Sequence, residues 1–294
     1  MRPGPWTLLF ALFLSATFLR ADCVNDHRSN KKAGILVTDF SVTGTQTIGA
    51  TELAKLTSEF IGSCFNDDTE ELGERLRAAF QNRGYFAVEV KSLGMKPRDP
   101  LGSPKPVSVE AEVSEGARYK LAEITFVDAH AFTPETLREQ FPLHKGDLFE
   151  RSKVASGLES LRKLYSTKGF LDWAAVPETK LASNGTANLN LSIQEGPQYH
   201  MGKLDIVAAE ELKLRLRAQW KLTEGDVYDQ TYIDQYLEAN RDLLPAGFSR
   251  VNVTTTQNCR EAVVQVRMLI DAAEDTSHAT QKSIPCEEHR DVSK

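Results

Sequence analysis

Beyond its first 21 residues the chain has no run of about 20 apolar residues, so its body holds no transmembrane helix. It has no excess of base either. Lys and Arg number 35 against 41 Asp and Glu, a formal net charge of −6. That balance excludes the electrostatic footprint of a nucleic-acid binder. No CxxC occurs and no histidines stand at ligand spacing, which excludes an ordinary zinc site. Asn66-Asp67-Asp68 is a fragment of a calcium loop without its glycine and distal glutamate. Phosphate-binding glycine loops, the dinucleotide fingerprint and the Gly-x-Ser-x-Gly elbow are all missing. His130, His144 and His200 stand one per element and read as surface or turn residues. Nothing places two titratable groups together for catalysis, so no enzyme, no cofactor and no metal is expected.

The N-terminus carries the chain's one long apolar run. Arg2 precedes Trp6 to Leu19, and Ala21 is a small residue suited to cleavage, so residues 1–21 read as a signal peptide. An uncleaved anchor is the competing reading, but the run is short for a span. Cys23 lies near the cut, yet Arg20, Ala21 and Asp22 do not make a lipobox. Export sets the redox context for Cys23, Cys64, Cys259 and Cys286. An even count in an exported chain points to disulfides, with three connectivities open. Cys23–Cys64 and Cys259–Cys286 are favoured, since each ties a terminus to its nearest domain. Loops of that size contribute roughly 3–4 kcal/mol in the chain-entropy account.

What the rest of the chain has is repetition at about 80 residues. Gly116-Ala-Arg-Tyr119 matches Gly196-Pro-Gln-Tyr199, each after a glutamate, Glu115 or Glu195. Lys145-Gly146-Asp147-Leu148-Phe149 matches Glu224-Gly225-Asp226-Val227-Tyr228. Lys168-Gly169-Phe170 matches Ala246-Gly247-Phe248, with Arg83-Gly84-Tyr85 as a third copy. The middle copy is the clearest. Ala122, Ile124 and Phe126 alternate on a strand. Thr133-Pro134-Glu135 starts a short helix that ends by Phe141, before Pro142. After the Gly146-Asp147 turn, Val154, Leu158, Leu161, Leu164 and Tyr165 make one face of a helix over 150–167, closed by Gly169. Asp147 and Asp226 are expected to cap the helices that follow them. Residues 170–176 read as a second strand stopped by Pro177. Asn184-Gly185 is a hairpin turn, and Leu189, Leu191 and Ile193 alternate on a third strand. The first copy puts Phe40 and Val42, then Leu72, Leu76 and Phe80, then Val107 to Val113 in the same order, and the third does so with Leu204, Ile233 and Val264. Each unit is therefore β-α-α-β-β, a two-layer α+β module.

This unit resembles the POTRA (polypeptide-transport-associated) domain. The residues that carry the likeness are the Gly-x-x-Tyr entry to strand one, the Gly-Asp turn before helix two and the Gly-aromatic pair before strand two. The first copy departs from the pattern, with Ser63-Cys64-Phe65-Asn66-Asp67 where the others have the Gly-Asp turn. The expected fold class is α+β: three tandem β-α-α-β-β two-layer POTRA-like domains in an elongated array. The expected segments are signal peptide 1–21, N-terminal extension 22–32, domains 33–116, 117–196 and 197–271, and a flexible polar tail 272–294. The family carries such arrays before an outer-membrane β-barrel, and the tail is too short for one.

The resemblance implies a non-enzymatic, periplasmic polypeptide-binding or docking protein of outer-membrane protein assembly or transport. Its partners would be polypeptides, among them outer-membrane β-barrel proteins or their assembly machinery, with no nucleic acid and with peripheral membrane association. In the family strand two lies at the sheet edge, where unpaired N–H and C=O groups accept an extended peptide. Matching edges are expected near 85–93, 170–176 and 247–256. The first choice is Phe170, Leu171, Asp172, Trp173, Ala174, Ala175 and Val176, with Trp173 as a large amphipathic contact. Two readings compete with this: Trp173 covers its own sheet or packs at a junction, and the whole array is a structural spacer without a client site.

Overall fold

A computed structural model describes residues 34–65, 69–99, 101–102, 104–244, 251–270 and 282–284. The expected signal peptide, the extension 22–32 and most of the expected tail lie outside the described residues. The chain divides into two compact units between Arg118 and Tyr119.

The first unit contains β1 (Ile35–Thr43), α1 (Ala50–Ser58), β2 (Cys64–Phe65), α2 (Thr69–Gln81), β3 (Glu89–Pro97) and β4 (Lys105–Ser114). The second unit contains two further copies of this order. One has β5 (Lys120–Val127), α3 (Pro134–Glu139), α4 (Arg151–Ser166), β6 (Ala174–Leu181) and β7 (Thr186–Gln194). The other has β8 (His200–Val207), α5 (Glu210–Gln219), α6 (Tyr232–Ala239), β9 (Val251–Asn258), β10 (Val263–Ile270) and β11 (Lys282–Ile284). The sheets run β2-β1-β4-β3, β5-β7-β6 and β11-β9-β10-β8. In each, strand one pairs parallel with strand three, and strand two pairs antiparallel on its far side. This is the β-α-α-β-β order that the sequence indicates.

Alternation on strand three supplies the floor of each core. Ala187, Leu189, Leu191 and Ile193 are buried on β7, and Val264, Val266, Met268 and Ile270 on β10. The second helix covers that floor, with Leu72, Leu76 and Phe80 from α2, Leu161 and Tyr165 from α4, and Ile233 and Tyr236 from α6. Each such aliphatic side chain contributes about 1.5–3 kcal/mol by burial. Thr133 caps α3 by accepting a hydrogen bond from Thr136, as its position before Pro134 suggests.

The turn before helix two is the same in all three copies, including the first. Gly62, Gly146 and Gly225 have φ of +82, +89 and +92°, a left-handed conformation that glycine adopts without strain. Their amides donate to the carbonyls of Val37, Leu121 and Met201 at 2.7–2.8 Å. The amides of those three residues donate in turn to the carbonyls of Ser63, Asp147 and Asp226. The first copy therefore keeps the turn as Gly62-Ser63, with serine where the others have aspartate. The residue two after the aspartate or serine is buried each time: Phe65, Phe149 and Tyr228. Contrary to the expectation from the sequence, Asp147 and Asp226 do not cap the following helices. Their carboxylates accept from the amides of His144 and Thr223 at 2.7 Å, closing the turn behind them. The helices start too far on, at Arg151 and Tyr232, for these side chains to reach.

The glutamates that end strand three fasten the loop after strand one. Glu115 is 3% exposed and accepts from the amides of Gln46, Thr47 and Ile48. Glu195 accepts from the amides of His130 and Ala131 at 2.8 Å and from the Tyr165 hydroxyl at 3.0 Å. Burial raises the cost of ionising both, but the donors outweigh it, so both titrate below the ordinary glutamate value of 4.5. A folded value below the unfolded one gives stability that is complete above the unfolded value and lost as pH falls through the folded one. Glu115→Gln and Glu195→Gln are each expected to cost about 1–3 kcal/mol at neutral pH in urea unfolding. The double variant should show a shallower loss of stability below pH 4.5 than the parent, which an acid titration followed by circular dichroism reads directly.

Candidate functional site

The chosen segment 170–176 divides between a turn and a strand. Phe170, Leu171, Asp172 and Trp173 precede β6 and lie in the turn that leads out of α4; only Ala174, Ala175 and Val176 belong to the strand. The glycine-aromatic pair causes this. Gly169 turns the chain with φ of +79°, and Phe170 then packs edge-on against Tyr165. Trp173 stacks on Tyr165 with ring centroids 5.3 Å apart, so it covers part of its own repeat. Leu171 packs against the core of the third repeat. Asp172 accepts a hydrogen bond from the Tyr199 hydroxyl at 2.7 Å, and burial together with that bond raises the Tyr199 pKa.

These contacts form the junction inside the second unit. The Tyr199 amide donates to the Gly169 carbonyl at 2.8 Å, the Gln230 amide to the Ser166 carbonyl at 3.2 Å, and the Gln198 side chain to the Lys168 carbonyl at 2.9 Å. A Cβ on Gly169 would lie 2.5 Å from the Tyr199 carbonyl oxygen. Glycine is thus required here twice, for its backbone conformation and for the close approach of the next repeat.

The strand itself runs past Pro177, which was expected to stop it. Pro177 pairs with Leu191 in the middle of β6. The Ala182 amide donates to the Thr186 carbonyl, and the ladder from there to Ala174 has no bulge. Antiparallel residues alternate in the side their N–H and C=O face. Even-numbered residues therefore bond β7, and Ala175, Pro177, Thr179 and Leu181 turn theirs outward. A proline is tolerated at such a position because the donor it lacks is not one the sheet uses. The outer edge of β6 thus offers three amides and four carbonyls. Val176 is 58% exposed on this strand, and no β6 side chain is fully buried.

The other two second strands differ. On β3 the Arg98 amide bonds Pro106, which leaves Leu93, Met95 and Pro97 facing outward, so this edge also carries a proline. On β9, Val251, Val253 and Thr255 are buried and no proline occurs. The sequence suggested a free edge at 247–256, but the outer side of β9 is partly covered. Lys282, Ser283 and Ile284, within the expected flexible tail, pair with Thr254, Thr255 and Thr256 as the parallel strand β11.

Cys64 and Cys259 are not free thiols. Cys23 and Cys286, their expected partners, lie outside the described residues. Among the described residues no group of three or more His, Cys, Asp or Glu side chains is placed to hold a metal ion, and no helix is long and apolar enough to cross a membrane.

The repeat geometry and its edge strands define a class. Residues 119–196 match the POTRA family model, described as a surface antigen variable number repeat. The fold agrees over a longer stretch. A crystal structure of POTRA domains 3–5 of BamA from Haemophilus influenzae superposes with a TM-score of 0.55, covering 82% of this chain and 96% of that one at 16% identity. The chain therefore has the fold of tandem POTRA domains, and its middle repeat is a POTRA domain by sequence. A putative outer membrane protein assembly factor from Treponema pallidum (strain Nichols) is 23% identical over 185 residues, 58% of this chain. The match covers 21% of that relative's length.

Gly169→Ala is expected to cost at least 2 kcal/mol, about 1–2 for the left-handed backbone and the rest for the contact with Tyr199. Trp173→Ala should cost about 1–2 kcal/mol through loss of the stack on Tyr165. Thermal unfolding of the two variants measures both effects.

Proposed function

We propose that this protein is a non-catalytic docking protein of the bacterial envelope that holds polypeptides during outer-membrane protein assembly or transport. Binding takes place by addition of an extended segment to the edge of a repeat. Three POTRA-like domains, at 33–116, 117–196 and 197–271, present these edges from the periplasmic side after export. The disulfides Cys23–Cys64 and Cys259–Cys286 belong to the same reading, since the compartment is oxidising. The observation that carries the proposal is the free outer edge of β6 in a repeat of POTRA sequence and fold. The similarity to an outer membrane protein assembly factor supports the setting.

Backbone pairing is largely indifferent to client sequence, which suits a site that meets many polypeptides. Phe170 to Trp173 lie outside this site, and Ala174, Ala175 and Val176 form only its first half. The edge extends instead to Thr179 and Leu181, which reading the sequence up to Pro177 did not include. A structural spacer is the second reading, and Pro177 favours it. Proline and charge on an edge are the ordinary means of blocking unwanted pairing, and Glu178 and Lys180 flank the same stretch.

Hydrogen exchange with an unfolded outer-membrane barrel protein separates the two. Amides of Ala175, Thr179 and Leu181 should gain protection while those of Ala174, Val176, Glu178 and Lys180, already bonded to β7, stay unchanged. Pro177→Val restores the fourth outward donor and should tighten binding by about three- to tenfold, the equivalent of one hydrogen bond at 0.5–1.5 kcal/mol. Unchanged exchange at all three outward amides with the barrel protein in excess would leave the spacer reading.

A further inference from the structure

We propose that β9 is a strand-accepting edge which the protein holds closed with its own residues Lys282–Ile284, so that an extended polypeptide reaches it only by displacing β11. The inference rests on the strand-addition reading above and gives that function a built-in competitor in the third repeat.

The three second strands manage their outer edges in two ways. Among the described residues β3 and β6 have no strand on their outer side, and each turns a proline outward, Pro97 or Pro177. β9 has no proline anywhere in Val251–Asn258, and its pairing with β10 runs from end to end without a bulge. It therefore keeps every backbone donor on its outer side. It is also the best anchored of the three, with Val251, Val253 and Thr255 buried, whereas neither β3 nor β6 has a fully buried side chain. A rigid edge with all donors in place is the most favourable template for an added strand. Among the described residues it is the second strand that has one.

The covering segment is within reach. Ile270, where β10 ends, lies opposite Val251, the start of β9. The chain therefore leaves β10 at the end of the sheet from which β11 departs, since Lys282 pairs with Thr254 in parallel. Crossing two strand spacings takes about 10 Å. Residues 271–281 span up to roughly 36 Å when extended, so the connection is ample.

The pairing is short, limited to Thr254, Thr255 and Thr256. A three-residue contact would be negligible between separate molecules. Tethering changes this, because attachment within one chain through a short connecting segment raises the local concentration of the strand to roughly the millimolar range. The segment is thus a weak strand made competitive by its attachment. It excludes casual pairing, including edge-to-edge pairing of two copies, and gives way to a partner that makes a longer ladder along β9. Cys259 follows β9 directly and is not a free thiol. Its expected partner Cys286 stands two residues past β11 in the sequence, and a bond between them would shorten the tether further.

The test uses the full chain and the variant Lys282→Pro/Ser283→Pro. Adjacent strand residues face opposite sides, so one of the two prolines removes a donor to β9 whichever side that is. Hydrogen exchange is expected to rise by about tenfold or more at the outward amides of Thr254–Thr256 in the variant and to stay unchanged on β10. A synthetic peptide of residues 280–287, with serine for Cys286, should restore protection in the variant at about millimolar concentration and leave the parent unaffected. Equal exchange at Thr254–Thr256 in parent and variant would overturn the proposal, as would a peptide that protects both equally. Unfolded outer-membrane barrel protein should protect β9 more readily in the variant than in the parent. If the peptide closes β9 in the variant while the barrel protein protects neither β9 nor β6, closure in cis stands and the client reading alone fails.

Discussion

Strand one of each repeat lies parallel to strand three, and a parallel pair cannot be joined by a tight turn. The two helices exist because the chain must travel back along the sheet before it can form that pair. They also provide the cover that the inner face of the sheet needs. Once strands one and three are paired, strand two can lie only on an outer side of that pair, and in all three copies it takes the far side of strand three. Its position at the edge is thus a consequence of the parallel pair. The turn at Gly62, Gly146 and Gly225 serves the same constraint, since its hydrogen bonds to Val37, Leu121 and Met201 fix where helix two begins relative to strand one. Glu115 and Glu195 close the other end, where the chain leaves strand one for helix one.

The same constraint limits what such a module can do. Among the described residues it brings no group of three or more His, Cys, Asp or Glu side chains together to hold a metal ion. What it leaves unfinished is backbone, at the outer side of strand two. The three copies treat that edge differently, although their cores are alike. Two leave it open and remove one donor with proline. The third keeps its donors and covers part of them with the chain's own β11. The copies therefore differ at a few edge residues that their shared core pattern does not reveal.

The segment from Phe170 to Val176 shows how far reading in order can go. Its apolar content is real, but it serves two neighbours. Leu171 and Asp172 are committed to the next repeat, and Trp173 to Tyr165. A run of hydrophobic residues after a helix-ending glycine looks the same in sequence whether it starts a strand or plugs a junction. Pro177 misled for a related reason. Proline breaks a ladder only where its missing amide faces the partner strand, and which way it faces depends on register. Register was set by the Asn184-Gly185 hairpin further along, which the sequence did show.

Local chemistry determined the repeat, the order of its elements, the helix cap at Thr133 and the alternating floor of each core, because periodicity and turn residues act within a few positions of themselves. The glutamates that fasten each loop were visible as a recurring residue before each Gly-x-x-Tyr, but their role needed the amides of Gln46 to Ile48 and of His130 and Ala131, some 65 residues away, to be brought beside them. Tertiary structure alone decided which backbone groups face outward from each sheet, that Trp173 stacks on Tyr165, and that Lys282–Ile284 lie beside Thr254–Thr256. Those facts depend on which strand ends up next to which, and on the direction each amide faces there, neither of which is encoded by the residues on one strand taken by themselves.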